Sequence, residues 1–216
     1  AACSGATVGG PEETQTTSSG TSRAVTASPS TTQPARSAPP GAGAAISEVI
    51  SWIEAGRPAD PAAYHSATRD GQTTDLGDDI AFTAPPGPSG ATSCMTDSGH
   101  AGGALACLVN LADPPPRPAE VYGEWRGNWV DFTGTTLQIG SAHGDPGPFS
   151  NGAGPELPSG ASLSFGDYRC RTDRADLFCV NYAHRSATRF GSAGVEPFGC
   201  LHPVSAPPDV GKLFSC

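Results

Sequence analysis

The stretch YRCRTDRADLFCVN, residues 168–181, decides the fold of this chain. Cys170 and Cys179 bracket the residues 171–178, which can form a β-hairpin with its turn at Thr172–Ala175. A disulfide bond between the two cysteines would close a short loop between adjacent segments. The stretch therefore predicts a β-rich domain that is held together by disulfide bonds.

The other cysteines extend this prediction to the whole folded part. The chain has seven cysteines, at positions 3, 94, 107, 170, 179, 200 and 216, and the last six allow fifteen pairings. We predict sequence-local pairing, with each bond contributing ~2–4 kcal/mol in the chain-entropy model: Cys94–Cys107, Cys170–Cys179 and Cys200–Cys216. Metal binding is the competing interpretation, but the sequence has no Cys-x-x-Cys and no cysteine–histidine cluster at ligand spacing.

Short apolar segments alternate with turn-forming residues over most of the chain. The predicted strands are Tyr64–Arg69, Asp79–Thr83, Leu105–Leu111, Asn128–Phe132, Thr136–Gly140, Ser162–Arg171, Leu177–Tyr182 and Ser186–Phe190. This spacing is typical of an antiparallel β-sandwich or a small barrel. One amphipathic helix precedes the strands, over residues 44–55, where Ile46, Val49 and Ile53 share a face and Gly56 supplies the stop.

Cys3 stands apart from the other cysteines. Small residues before it (Ala1-Ala2) and Ser4-Gly5 after it resemble the end of a bacterial lipoprotein signal peptide, the lipobox. That resemblance implies a thioether-linked diacylglycerol on Cys3, which would hold the protein at the outer face of the cytoplasmic membrane or in the cell envelope. Residues 1–43 are then a disordered Ser/Thr/Pro-rich tether and residues 44–216 a single domain. The alternative is a stray terminal cysteine.

Charge and hydropathy exclude several classes of partner. The net charge of −9 and the pI near 4.8 argue against nucleic acid, because phosphate binding needs clustered Lys and Arg. No stretch of eighteen apolar residues is present, so membrane attachment would need a covalent anchor. We expect no cofactor and no metal. The acidic cluster of Asp75, Asp78 and Asp79 lacks the spacing of an EF-hand loop and is interpreted as a solvated turn.

Several motifs resemble those of a family of exported actinobacterial lipoproteins, of mycobacterial type, whose function is unknown. The motifs are Phe82-Thr83, Pro88-Ser89-Gly90, Cys94, Cys107, Leu157-Pro158-Ser159-Gly160, Tyr168-Arg169-Cys170 and Cys179-Val180-Asn181. The resemblance covers roughly residues 79–191 and implies export and pairing of these four cysteines. The chain departs from the family's Gly-His-Gly-Phe, having Ala183-His184-Arg185-Ser186 instead. The family lends no activity to the chain.

Two groups of residues are candidates for chemistry or binding. His143 and Asp145 flank Gly144 in a loop and could serve general base catalysis if a nucleophile lay within reach, although Asp-Pro-Gly also makes a good turn without any such role. Tyr122, Trp125, Trp129 and Phe132 form an aromatic group, which is interpreted mainly as core. Trp125, together with its neighbour Arg126, is the part of this segment expected at the surface.

These observations predict a non-enzymatic binding or interaction domain outside the cytoplasm. The partner would be an envelope protein, a glycan or a small ligand, met through Trp125, Arg126, His143 or Asp145. No catalytic residue is assigned. The alternative is a secreted hydrolase with a dispersed active site near His143 and Asp145.

Overall fold

A computed structural model describes residues 5, 9–10, 38–87 and 90–216 of the chain. The chain divides into a unit of residues 1–36 and a compact unit of residues 37–216. Cys3, most of the predicted tether, and Pro88 and Ser89 of the motif at 88–90 lie outside the described residues. Every helix and strand of the described residues belongs to the compact unit.

Within the described residues the chain forms one α-helix, two short 3₁₀ helices and fifteen strands. Helix α1 spans Ile46–Glu54, and the 3₁₀ helices span Pro61–Tyr64 and Gly147–Asn151. The strands are β1 Arg57–Pro58, β2 Ser66–Arg69, β3 Gln72–Asp75, β4 Ala81–Thr83, β5 Ser93–Thr96, β6 Leu105–Leu108, β7 Glu124–Phe132, β8 Thr136–His143, β9 Ala161–Phe165, β10 Tyr168–Asp173, β11 Asp176–Asn181, β12 Ser186–Gly191, β13 Gly194–Phe198, β14 His202–Val204 and β15 Val210–Ser215.

The described strands form three sheets. A six-stranded sheet has the order β1-β9-β10-β11-β12-β13, and a seven-stranded sheet has the order β14-β15-β8-β7-β6-β5-β4. Neighbours are antiparallel except for β1 and β9, and the hairpin of β2 and β3 forms the third sheet. A mainly β, sandwich-like fold is therefore confirmed, while the other predicted architecture, a closed barrel, is wrong because both large sheets have open edges.

Alternating apolar residues of the two large sheets meet in the main core. The seven-stranded sheet contributes Phe82, Leu105, Val130, Phe132, Leu137 and Ile139, and the six-stranded sheet contributes Leu163, Tyr168, Leu177 and Phe190. The rings of Phe132 and Tyr168 lie 5.7 Å apart, and the Tyr168 hydroxyl donates to the Phe132 carbonyl at 2.9 Å. This hydrogen bond joins the two sheets and satisfies a polar group that the core buries.

The outer face of the six-stranded sheet is covered by α1. Phe178 and Val180 point to this face, whereas Leu177 and Cys179 point to the main core, so every second residue of β11 packs on the helix. Val49, Trp52 and Ile53 are the buried residues of α1. β11 is thus covered on both faces, which explains its unbroken apolar run.

The outer face of the seven-stranded sheet has a different cover. The β2–β3 hairpin and the 3₁₀ helix Gly147–Asn151 lie over it, burying a small cluster made of Ala67, Ala81, Met95, Ala106, Trp129 and Phe149. All four residues of β3 are exposed, so this hairpin has little apolar surface to bury. The cover is incomplete and leaves clefts beside it.

The three predicted disulfide pairs are confirmed. Cys94–Cys107 links β5 to β6 within the seven-stranded sheet, and Cys170–Cys179 links β10 to β11 within the six-stranded sheet. Cys200–Cys216 joins the turn after β13 to the residue that follows β15. Three such bonds indicate an oxidising compartment outside the cytoplasm.

Several strand boundaries differ from the predictions. The predicted strand Ser162–Arg171 is two strands, β9 and β10, because Gly166 adopts a positive φ of 47° and turns the chain back. β7 begins at Glu124, four residues before the predicted Asn128. Among the strands that were not predicted are β5, β13, β14 and β15, in which polar, glycine or proline residues stand among the apolar ones.

Candidate functional site

Trp125 is a packing residue in this structure. It is half-buried, and its indole N–H donates to the Pro115 carbonyl at 2.9 Å. Its ring lies against Gly140, where an added Cβ would come within 2.9 Å of the indole. Gly140 also has φ of +73°, a conformation that favours glycine. Trp125 therefore anchors the proline-rich segment at residues 114–116 to the seven-stranded sheet.

The other members of the aromatic group divide between core and surface. Trp129 and Phe132 are buried, at 3% and 0% exposure, on opposite faces of the seven-stranded sheet. Tyr122 is 95% exposed, so it, rather than Trp125, is the fully solvent-exposed ring of the group. Arg126 is half-buried and pairs with Glu124 at 3.2 Å.

His143 lies at the end of β8, over the outer face of the seven-stranded sheet. Its ring packs against Trp129 with centroids 3.7 Å apart and the ring planes tilted by 31°, and its Nε2 lies 2.6 Å from the Ser141 hydroxyl. Burial, and secondarily the charge of Arg126, lower the pKa of His143, while Asp145 acts in the opposite direction. The neutral imidazole is the form that this environment favours.

Asp145 does not complete a catalytic arrangement with His143. Its Oδ1 accepts from the Gly147 backbone N–H at 2.7 Å, and no hydrogen bond joins it to the His143 ring among the described residues. Its carboxylate is exposed and lines a neighbouring cleft. Ser141, which no sequence motif singles out, is only 5% exposed.

One cleft at the surface of the compact unit, called here the first cleft, has a volume of about 600 Å³. It lies between the end of the β2–β3 hairpin, the end of β5 and the 3₁₀ helix Gly147–Asn151. Its polar and apolar lining includes Asp75, Asp79, Asp97, His100, Asp145, Leu76, Met95, Pro146 and Pro148. The structure thus brings Asp145 to the acidic cluster at 75–79, two features that are far apart in the sequence.

The aspartates of the first cleft differ in how many of their carboxylate oxygens accept hydrogen bonds from the protein. Both oxygens of Asp79 accept hydrogen bonds, from Thr96 and Ser98, and fix the loop that follows β5. Asp97 accepts from the backbone and the ring of His100 at 3.0 Å.

Asp75 and Asp145 each use one oxygen on a local backbone N–H, of Gly77 and Gly147. Within the described part of the chain, the second oxygen of each has no hydrogen-bond partner. These two exposed carboxylates are therefore the ones open to a ligand.

A second cleft, of about 390 Å³, adjoins the first and shares Asp79 and Thr96 with it. Asp78 lies here, together with Asp167, Thr133, Phe165, Asn181 and His184. The second cleft is built from loops of both large sheets. Across residues 38–87 and 90–216, no group of three or more His, Cys, Asp or Glu side chains is arranged to hold a metal ion.

Comparisons with protein-family models, with curated proteins and with solved structures find no match for this chain. The resemblance to exported actinobacterial lipoproteins therefore stays a prediction. No helix in the described part is long and apolar enough to cross a membrane.

Asp97 and His100 are cleft residues that sequence patterns did not indicate. Their spacing of three residues was visible, but β5, the strand that positions them, was not predicted. Without that strand, nothing linked them to Asp145.

Proposed function

We propose that this protein is an extracytoplasmic binding domain and that its first cleft holds an organic cation. The observation that carries the proposal is the pair of open carboxylates in a cleft of about 600 Å³, with Asp75 at the end of β3 and Asp145 in the turn before the 3₁₀ helix Gly147–Asn151. No lysine or arginine is among the described residues that line it. An ammonium or guanidinium group would find opposite charge there without a competing cation.

The apolar part of the lining narrows the ligand class. Leu76, Met95 and Pro148 give the cleft surface that favours an aliphatic chain. An ammonium or guanidinium group on an aliphatic stem, as in a lysine or arginine side chain or a polyamine, combines both requirements. A segment of an envelope protein and a free polyamine would share this chemistry.

Calorimetric titration with a short lysine-rich peptide tests the proposal. We expect binding that weakens with added NaCl and is lost when the lysines are acetylated, because acetylation keeps the stem and removes the charge. Spermidine forms a second arm that distinguishes a small amine from a peptide segment.

The variant Asp75→Asn/Asp145→Asn should weaken binding at least ~10-fold, as expected for two lost charge-assisted contacts. Asp113→Asn is the matched control, because Asp113 is an exposed aspartate that lines none of these clefts. Equal binding of the acetylated peptide, or an unchanged affinity of the double variant, would contradict the proposal.

The proposed location is the outer face of the membrane or cell envelope, with Cys3 as the lipid anchor. The lipobox-like surroundings of Cys3 support this, and three disulfide bonds fit an oxidising compartment. Metabolic labelling with an alkyne-bearing fatty acid should mark the native protein in the membrane fraction. Cys3→Ala should lose the label and the membrane association, and retention of both would overturn the anchor.

The second candidate function, a hydrolase, is supported by the 2.6 Å contact between Ser141 and His143. Access is its difficulty, because Ser141 is 5% exposed and a substrate would reach it only after a rearrangement around β8. A fluorophosphonate probe, which reacts with activated serines, would label Ser141 if the pair is catalytic. Absence of a label that depends on Ser141 and His143 would remove this candidate.

A further inference from the structure

The disulfide Cys200–Cys216 differs from the other two in its exposure. Cys94, Cys107, Cys170 and Cys179 are all 0% exposed and lie in the main core. Cys200 is half-buried and Cys216 is exposed. Thiol–disulfide exchange requires a thiolate to approach a sulfur atom directly, so access decides which disulfide reacts in the folded protein.

Its place in the fold also differs. The two buried disulfides each join neighbouring strands of one sheet. Cys200 lies on the connection between β13 of the six-stranded sheet and β14 of the seven-stranded sheet, and Cys216 follows β15. Cys200–Cys216 therefore braces the place where the chain passes from one sheet to the other.

Both cysteines of this disulfide contact turns that line the second cleft. The Cys216 backbone N–H donates to the Thr135 carbonyl at 2.9 Å, in the turn between β7 and β8. The Cys200 sulfur lies 3.7 Å from the carbonyl of His184, in the turn between β11 and β12. Thr133 and His184, from the same two turns, are lining residues of the cleft.

We propose that Cys200–Cys216 is a thiol–disulfide exchange site that takes a dithiol reductant and whose state adjusts the second cleft. A thiolate of the reductant attacks the Cys216 sulfur, the Cys200–Cys216 bond breaks, and Cys200 leaves as a thiolate that takes up a proton. The second thiol of the reductant, as its thiolate, then attacks the mixed disulfide and releases Cys216. Two electrons pass to the protein, and the reductant is left as a disulfide. A disulfide-bearing oxidant reverses the reaction.

The domain stays folded when this bond opens, because other contacts hold the same elements. β15 remains paired with β8 from Ser215 to Val210, and the Ser186 hydroxyl still donates to the Gly134 carbonyl. The Tyr168–Phe132 hydrogen bond also ties the sheets nearby. Reduction therefore loosens the turns at 133–135 and 182–185 without releasing the core.

The test is a dithiothreitol titration of the full chain without denaturant, followed by alkylation with N-ethylmaleimide and peptide mass spectrometry. We expect Cys200 and Cys216 to be alkylated at reductant concentrations at least ~10-fold below those that modify the four buried cysteines. Peptide mapping separates these sites from Cys3. Simultaneous modification of all six cysteines, or earlier modification of Cys94 or Cys170, would overturn the exchange site.

Hydrogen exchange tests the link to the second cleft. Amides in the turns at 133–135 and 182–185 should exchange faster after native reduction, while those of β7 and β11 stay protected. The variant Cys200→Ser/Cys216→Ser should reproduce the reduced pattern while retaining a cooperative unfolding transition. Should that variant fail to fold, the reduced native chain still provides the measurement. Unchanged exchange at both turns would overturn the coupling to the cleft.

Discussion

The outer faces of the two large sheets are covered in opposite ways. Helix α1 seals the six-stranded sheet with an apolar face, and the Trp52 ring lies 4.8 Å from Phe178 and 3.8 Å from the Arg171 guanidinium. The seven-stranded sheet has a polar hairpin and a 3₁₀ helix over a smaller cluster around Trp129. The sealed face contributes stability, whereas the incompletely covered face leaves the clefts that can hold a ligand.

The edges of the two large sheets also favour the clefts as the place where a partner binds. Three of the four edge strands of the two large sheets contain a proline, namely Pro58 in β1, Pro197 in β13 and Pro203 in β14. Proline lacks the N–H that a neighbouring strand would use, so it blocks pairing at an edge. The fourth edge, β4, already exchanges hydrogen bonds with the segment at 155–157 through Thr83. A partner that binds by adding a strand to either large sheet is therefore disfavoured, which favours the clefts as the contact surface.

The sealed face should show the largest effect of a single substitution. Trp52→Ala should lower the free energy of unfolding by ~3–5 kcal/mol, because it removes a large buried ring and leaves a cavity beside Phe178. Urea unfolding monitored by circular dichroism measures the change. Thr74→Ala on the exposed strand β3 is the control and should stay within ~0.5 kcal/mol. A loss below ~1 kcal/mol for Trp52→Ala would mean that α1 is dispensable for the fold.

The incompletely covered outer face of the seven-stranded sheet, called here the open face, should tolerate the loss of an aromatic ring better. Phe149, at 9% exposure, packs edge-on to Trp129 with centroids 5.0 Å apart. Phe149→Ala should cost ~1–3 kcal/mol, less than Trp52→Ala, because the short 3₁₀ helix can detach locally before the sheets separate. Urea unfolding gives the global cost, and hydrogen exchange at residues 147–151 reports the local opening.

Phe149→Leu, which keeps most of the apolar volume, serves as the matched control. Phe149→Ala should also weaken binding of the lysine-rich peptide, since Pro148 lies in this 3₁₀ helix and Asp145 lies two residues before it. If Phe149→Ala costs as much as Trp52→Ala and leaves peptide binding intact, the two faces do not differ in the proposed way.

Local sequence patterns predicted the sealed half better than the open half. The hairpin around Cys170 and Cys179 could be predicted because its two strands are consecutive and each carries a cysteine. β11 has apolar residues on both faces, so its sequence indicates a buried strand without any knowledge of what covers each face. The turn at Gly166–Asp167 was missed because two strands of similar composition flank it without a proline.

The cleft could be predicted only in pieces, because it is assembled from segments that are distant in the chain. Asp75 and Asp145 were both singled out, yet each forms a local turn with a following glycine, which suggested no common site. The exposure of Trp125 depended on Pro115, whose carbonyl accepts its indole N–H. Nothing in the aromatic segment itself indicates that the proline-rich stretch folds back onto it.

The smallest expected effect is a pH dependence carried by the open face. The folded-state pKa of His143 is lowered, chiefly by burial against Trp129, so the folded chain binds fewer protons than the unfolded chain in a window that ends at the ordinary histidine value near 6.5. The contribution of His143 is complete above that value and declines as the pH falls toward the lowered pKa. Arg126 and Asp145 are the charged groups nearby, and they act in opposite directions.

His143→Gln removes the titrating imidazole. The free energy of unfolding should then fall less steeply below pH 6.5, and the change in slope should correspond to less than one proton. Burial raises the pKa of Asp131, which accepts from the Trp129 indole, so that carboxyl favours the folded state as the pH falls through its raised value. Because Asp131 is present in both proteins, the difference between the two urea-unfolding series isolates His143. His202→Gln, on the exposed strand β14, controls for loss of an imidazole that does not pack on Trp129. If the stability curves of the native protein and His143→Gln run parallel with pH, His143 does not contribute to the pH dependence, and another group causes it.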